Sequence, residues 1–98
     1  MNKNLREICV VLKEDCNEKL NYPNNIGKRT KLGGIPDWIQ YDESPVCKKC
    51  GKKLHFIAQI DSVDYKGSNN EYMFGDVGMI YVFFCFNCET TESIFQSF

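Results

Sequence analysis

Six cysteines stand in a chain of 98 residues, and four of them form two close pairs, Cys47-Lys48-Lys49-Cys50 and Cys85-Phe86-Asn87-Cys88. A pair spaced by two residues bends the backbone so that both sulfurs face one point. Two such knuckles brought together offer four thiolates at tetrahedral corners, the donor set and geometry of a structural zinc site. Gly51 follows the first pair directly, where the turn leaving a knuckle calls for a positive φ. Residues 51–84 separate the pairs, a longer gap than in compact zinc ribbons but room enough for a strand, a loop and a second strand. The expectation is one structural Zn²⁺ held by Cys47, Cys50, Cys85 and Cys88, although a four-cysteine set does not by itself separate zinc from iron. A disulfide framework and a redox-active pair are the weaker readings. The chain looks cytosolic, and neither pair opens a helix after a strand. Lys48, Lys49, Lys52 and Lys53 crowd the first knuckle and are expected to neutralise the anionic centre and lower its thiol pKa values. Cys9 and Cys16 lie apart from the pairs and read as buried core cysteines.

Other catalytic chemistry finds little support. A site closed by four thiolates keeps no open position for water or substrate. His55 is the single histidine, which leaves no Ser-His-Asp or Cys-His pairing, and it reads as an ordinary strand-face side chain. Gly27-Lys28-Arg29-Thr30 looks like the end of a phosphate loop, but Tyr22 stands where that motif needs glycine. Asp61, Asp64 and Asp76 read as solvated loop and strand-end acids. The chain is therefore expected not to be an enzyme.

The elements that must position the cysteines follow from hydropathy. Residues 78–86 are apolar on both faces and predict a buried central strand running into Cys85. Residues 53–61 alternate, with Leu54, Phe56, Ala58 and Ile60 predicted on the core side and His55, Ile57 and Gln59 on the other. Residues 92–98 predict a last strand. Residues 5–13 read as a strand or short helix, 14–20 as a short polar helix, and 21–36 and 62–77 as loops. Gly33-Gly34 permits a tight bend, Pro36 fixes the exit direction, and Trp38, the only tryptophan, is expected to plug the core near that bend. The predicted fold class is α+β, mainly antiparallel sheet, in one small domain over 1–98. Residues 1–30 supply the strand, short helix and loop, and 31–98 a zinc-stabilised sheet in which a zinc-ribbon-like site joins the knuckles.

Hydrophobic residues make up 43% and charged residues 26%, with a net charge of -1. That balance is globular and argues against a partner held by bulk charge alone. No apolar run is long enough to span a membrane, and the apolar run after the charged opening is too short for a secretory signal, so a cytoplasmic location is expected.

The segments Leu32-Gly33-Gly34-Ile35-Pro36-Asp37-Trp38-Ile39-Gln40, Pro45-Val46-Cys47 to Cys50, Leu54-His55-Phe56-Ile57-Ala58-Gln59-Ile60-Asp61 and Gly75-Asp76-Val77-Gly78-Met79-Ile80-Tyr81-Val82-Phe83 to Cys88 follow one order. This order resembles the YwqG-like family of bacterial proteins of unknown function and, more distantly, the programmed cell death protein 2 family, over about residues 31–98. The resemblance implies a sheet-rich fold and a non-enzymatic role; the second family is implicated as dedicated chaperones of a ribosomal protein. By analogy, a small acidic domain also fits a bacterial immunity protein. The expected function is a zinc-stabilised protein-binding module whose partner is a basic toxin or ribosomal protein. Tyr41, Tyr65, Tyr72 and Phe74, aromatic and in predicted loops, are its candidate contacts. A nucleic-acid-binding zinc ribbon, with the four lysines on phosphate, is the alternative.

Overall fold

The structure, a computed structural model, describes residues 5–13, 29–62, 72 and 77–97. Its centre is one antiparallel sheet of four strands: β1 (Lys31–Leu32), β2 (His55–Asp61), β3 (Met79–Cys85) and β4 (Thr90–Gln96), in the order β1-β2-β3-β4. β3 is the strand that the apolar run predicts. It lies between β2 and β4 and alternates strictly, with Met79, Tyr81, Phe83 and Cys85 buried and Ile80, Val82 and Phe84 half-buried on the opposite face.

The fold class differs from the expectation. Among the described residues there is no helix at all, and the architecture is all-β rather than α+β. Residues 5–13 form neither strand nor helix and lie exposed, Cys9 with them, so Cys9 is not a core cysteine. A short apolar run that meets no ladder partner and no core face has nothing to pay for its ordering entropy. The helix expected over 14–20 and Cys16 fall outside the described residues. The last strand starts at Thr90 rather than residue 92, and the predicted loop 21–36 contains β1, which pairs with β2 through Lys31↔Gln59 and Leu32↔Ala58.

In β2 the register places Phe56 opposite Phe83 but Ala58 opposite Val82, so Ile57 is an inserted bulge residue. A bulge breaks the period of two and turns the following side chains over. Phe56 stays on the inner face, but beyond the bulge Gln59 and Asp61 point inward and are buried, while Ile60 points out. Asp61 is thus no solvated acid. Its carboxylate accepts from the Arg29 guanidinium at 2.7 Å, and both side chains are buried.

Segment 35–54 covers the inner face. Gly33 and Gly34, both at positive φ, make the bend that turns the chain out of β1. Trp38 then lands where expected. Its ring lies 4.4 Å from Tyr81 and 6.0 Å from Phe83, and Phe56 meets Phe83 at 5.6 Å. Three buried polar side chains of β2, β3 and β4 fasten this segment. Gln59 accepts from Asp37 N at 3.0 Å and donates to its carboxylate at 2.8 Å. The Tyr81 hydroxyl donates to Asp37 O at 2.8 Å and accepts from Ile39 N at 3.1 Å; burial holds this phenol above its usual pKa, so it acts as a neutral hydroxyl. Gln96 accepts from the backbone N–H of Ile39 and Gln40, each at 3.0 Å, and donates to Tyr41 O at 2.8 Å and Glu43 Oε2 at 2.6 Å. An irregular segment with no ladder of its own must satisfy its backbone on side chains, and this row supplies them. Among the described residues, no helix is long and apolar enough to cross a membrane.

Candidate metal centre

Each cysteine pair sits in a tight turn, and the two turns share one design. The first is a small hairpin. Val46 pairs with Lys53, Leu54 N donates to Pro45 O at 3.1 Å, and Cys47 N donates to Lys52 O at 2.8 Å. The second is the connection between β3 and β4, closed by the pair Cys85↔Thr90. In both, the amide four residues after the first cysteine donates to that cysteine's carbonyl: Gly51 to Cys47 and Glu89 to Cys85, each at 2.8 Å. Both donors are left-handed, at φ 74° and 55°. Glycine adopts this conformation freely, whereas Glu89 adopts it at a cost of about 1–2 kcal/mol. The sequence flags Gly51 but not Glu89, because only the first knuckle carries the residue that its turn prefers.

The sheet brings the turns together. The sulfurs of Cys47, Cys50, Cys85 and Cys88 all lie within 4.8 Å of one another, and Cys50 Sγ is 3.8 Å from Cys85 Sγ. Four sulfurs bound tetrahedrally at about 2.3 Å would stand about 3.8 Å apart. A disulfide would need about 2.05 Å, and all four are free thiols. Cys47 and Cys85 are 2% and 4% exposed and belong to the apolar core with Leu54 and Phe83, while Cys50 and Cys88 are half-buried. These four side chains form a cluster able to coordinate a metal ion.

Their protonation is uneven. The Thr90 hydroxyl, 3.4 Å from Cys47 Sγ, and then the backbone N–H groups of Cys50 and Lys49 hold the Cys47 thiol down to about 6. Loss of water, together with the neighbouring sulfurs, pushes Cys88 up to about 12. Four thiols this close cannot all ionise against one another; a bound cation relieves that repulsion. The lysines are not what lowers Cys47, contrary to expectation. Lys49 contributes its backbone N–H, and the Lys48 side chain is 87% exposed, reaching Glu92 at 4.0 Å.

Two of the four expected aromatic contacts fall among the described residues. Tyr41 is exposed, Tyr72 is half-buried with its hydroxyl donating to Arg6 O, and Tyr65 and Phe74 fall outside the described residues. A different aromatic group stands beside the second knuckle: Phe86 meets Phe84 at 4.9 Å and His55 at 5.3 Å, both edge-on. Sequence alternation also missed the phase of β2 beyond the bulge, which places Ile60 outside.

Residues 5–86 match the family described as a domain of unknown function, DUF1963. An uncharacterized protein, YpfL, of Salmonella typhimurium is 36% identical over 67 residues, which is 68% of this chain and 15% of that relative. The chain thus spans a small part of the length of the curated relative it matches. No solved structure matches. The resemblance read from the motifs holds at the level of a bacterial family of unknown function. A specific link to the YwqG-like or programmed cell death protein 2 families does not emerge.

Proposed function

This chain belongs to the DUF1963 family, and we propose that it is a non-enzymatic protein-binding module whose four-cysteine centre holds one structural Zn²⁺. The observation that supports the binding reading is the outer face of the sheet. Side chains paired across the ladder share a face, and on the outer face Leu32, Ala58 and Val82 form one row, Ile60 and Ile80 a second. None of these side chains is buried, nor is Phe84. Leu32 is 65% and Ile60 45% exposed, and Phe86 extends the surface at the knuckle. A contiguous apolar surface of this kind marks a place for a partner. The zinc reading rests on the all-thiolate donor set, whose four sulfurs lie within 4.8 Å of one another. Such a site is closed, so the metal would secure the fold and leave the binding to the sheet.

The partner is a basic protein. The net charge of -1 becomes more negative by about two units when four thiolates hold Zn²⁺, and opposite charge favours encounter. An immunity protein facing a toxin, or a dedicated chaperone facing a ribosomal protein, has this character. A native mass spectrum of the protein from its own cells tests the reading. The expected result is one zinc and one stoichiometric basic protein, which is lost from Leu32→Asp and Ile60→Glu variants that keep their zinc. Retention of the partner by both variants refutes the sheet face as the docking surface. Recovery of nucleic acid instead would favour the ribbon reading, with exposed Phe86 as a stacking ring beside Lys48 and Lys49.

A further inference from the structure

Each knuckle places its first cysteine in the core and its second at the surface. Cys47 and Cys85 are 2% and 4% exposed and pack with Leu54 and Phe83, whereas Cys50 and Cys88 are half-buried. The backbone accounts for the difference. Cys85 is the last residue of β3 and is held there by its pairing with Thr90. Cys47 is held by the bond from its N–H to Lys52 O at 2.8 Å, and the Thr90 hydroxyl lies 3.4 Å from its sulfur. Cys50 and Cys88 are turn residues. The exposed Asn87 side chain comes to 3.9 Å from Cys88 Sγ, so that sulfur lies within reach of groups at the surface.

The two outer sulfurs belong to different knuckles, yet all four sulfurs lie within 4.8 Å of one another. To close that gap to a disulfide of about 2.05 Å, the two outer sulfurs must move by no more than about 1.4 Å each. Rotating a side chain on a surface turn permits this movement. Drawing Cys47 or Cys85 into such a bond would instead pull a sulfur out of close packing in the core.

We propose that the four-cysteine centre is an oxidation site for hydrogen peroxide, at which Cys50 and Cys88 join as a disulfide and the bound metal is given up. This rests on the zinc reading above. One of the two outer thiolates attacks an oxygen of hydrogen peroxide. The S–O bond forms, the O–O bond breaks and hydroxide leaves, so the sulfur loses two electrons and the peroxide gains them. The other outer thiolate then attacks that sulfur. The S–S bond forms, the S–O bond breaks and a second hydroxide leaves. Each hydroxide takes a proton from the buffer to become water. Cys47 and Cys85 stay reduced, and two thiolates are too few to close a four-coordinate site. The new bond ties the same two parts that the metal tied, since Cys50 lies in segment 35–54 and Cys88 in the connection between β3 and β4. Oxidation therefore exchanges one clamp for another, whereas chelation removes the clamp.

The test adds hydrogen peroxide to the reduced, zinc-loaded protein. Released zinc is read with a chromogenic indicator, and the bridge is located by mass spectrometry of peptides digested without reduction. Cys9, exposed and outside the cluster, reports in the same digest that the oxidant has acted. The expected result is one zinc released per chain, a Cys50–Cys88 bridge, and Cys47 and Cys85 still open to alkylation after denaturation. A phosphine reductant with added zinc reverses both changes. The oxidised, zinc-free protein is expected to unfold at higher urea than reduced protein stripped of zinc by a chelator. Reduced protein that binds no zinc overturns the zinc reading and this proposal with it. Protein that keeps its one zinc while Cys9 is oxidised overturns this proposal alone. So does zinc release with no bridge or with any other pairing of the four cysteines.

Discussion

Replacing Gln96 by leucine would unfasten segment 35–54 without opening a cavity. Gln96 is 2% exposed and makes four hydrogen bonds: it accepts from Ile39 N and Gln40 N and donates to Tyr41 O and Glu43 Oε2. Ile39 N–H keeps the Tyr81 hydroxyl as a partner, but the Gln40 N–H and the Tyr41 carbonyl lose their bonds to the side chain. At about 1 kcal/mol per bond the gross loss is about 4 kcal/mol. Leucine's apolar contacts return about 1 kcal/mol, so the net cost is about 3 kcal/mol, a large share of the roughly 5–15 kcal/mol that holds a domain together. Trp38, the only tryptophan, lies in the released segment and packs on Tyr81, so its emission reports the event. Urea unfolding of Gln96→Leu is expected to show the loss in stability, with tryptophan emission shifted to the red before unfolding begins. Ser93→Ala, on the opposite face of the same strand, is the control and should change stability by no more than about 0.5 kcal/mol. A Gln96→Leu protein within about 1 kcal/mol of the parent, its emission unmoved, would refute the fastening role of the buried polar row.

The Thr90 hydroxyl is the first cause of the low Cys47 pKa of about 6, so Thr90→Val should raise it. A depressed thiol pKa favours the ionised site above the ordinary thiol range, and that advantage is lost as pH falls through about 6. Cobalt(II) binding, followed by its thiolate absorption, should therefore weaken on acidification, and in Thr90→Val the weakening should begin at higher pH. Identical pH profiles would remove Thr90 from the site's chemistry. In the knuckles, Gly51→Ala meets no atom within 4 Å and suffers only the strain of φ 74°, so it should cost about 1–2 kcal/mol. Glu89→Gly relieves the matching strain at φ 55° and should leave stability unchanged or raise it by up to about 1 kcal/mol, since glycine's extra chain entropy offsets part of the gain. Urea midpoints of the metal-loaded proteins check both signs.

The cysteine pairs were legible because their chemistry is local. Two residues of spacing define a knuckle wherever it sits, and an apolar strand running into Cys85 placed one knuckle at a sheet end. Trp38 was legible because a lone tryptophan after a Gly-Gly bend has few places to go but the core. The α+β expectation rested on a short polar helix over 14–20, outside the described residues, and on a strand or short helix over 5–13, where Ile8, Val10 and Val11 form an apolar run with no partner written beside it. The phase of β2 was lost at Ile57. Alternation read through that residue puts Ile60 inside and Gln59 outside, and nothing in residues 53–61 announces that the partner strand skips a position. Gln59, Asp61 and Gln96 escaped for a related reason. Their burial is offset by hydrogen bonds to segment 35–54 and to Arg29, which lie far away in sequence.

The polar row and the cysteine cluster are two fasteners of one strap. Segment 35–54 is held at its start by Gln59, Tyr81 and Gln96 and towards its end by Cys47 and Cys50, which meet Cys85 and Cys88 from the strands beneath. Neither fastener reaches the outer face, where Leu32, Ala58, Val82, Ile60 and Ile80 lie. A four-stranded sheet with one covered side has a thin core, so an end clamp contributes more here than it would in a larger domain. Structural zinc contributes roughly 10–16 kcal/mol in finger peptides, comparable to the whole stability of a domain. The same division of labour leaves the outer face free of the strap, and its apolar side chains are the observation on which the proposed binding of a partner rests.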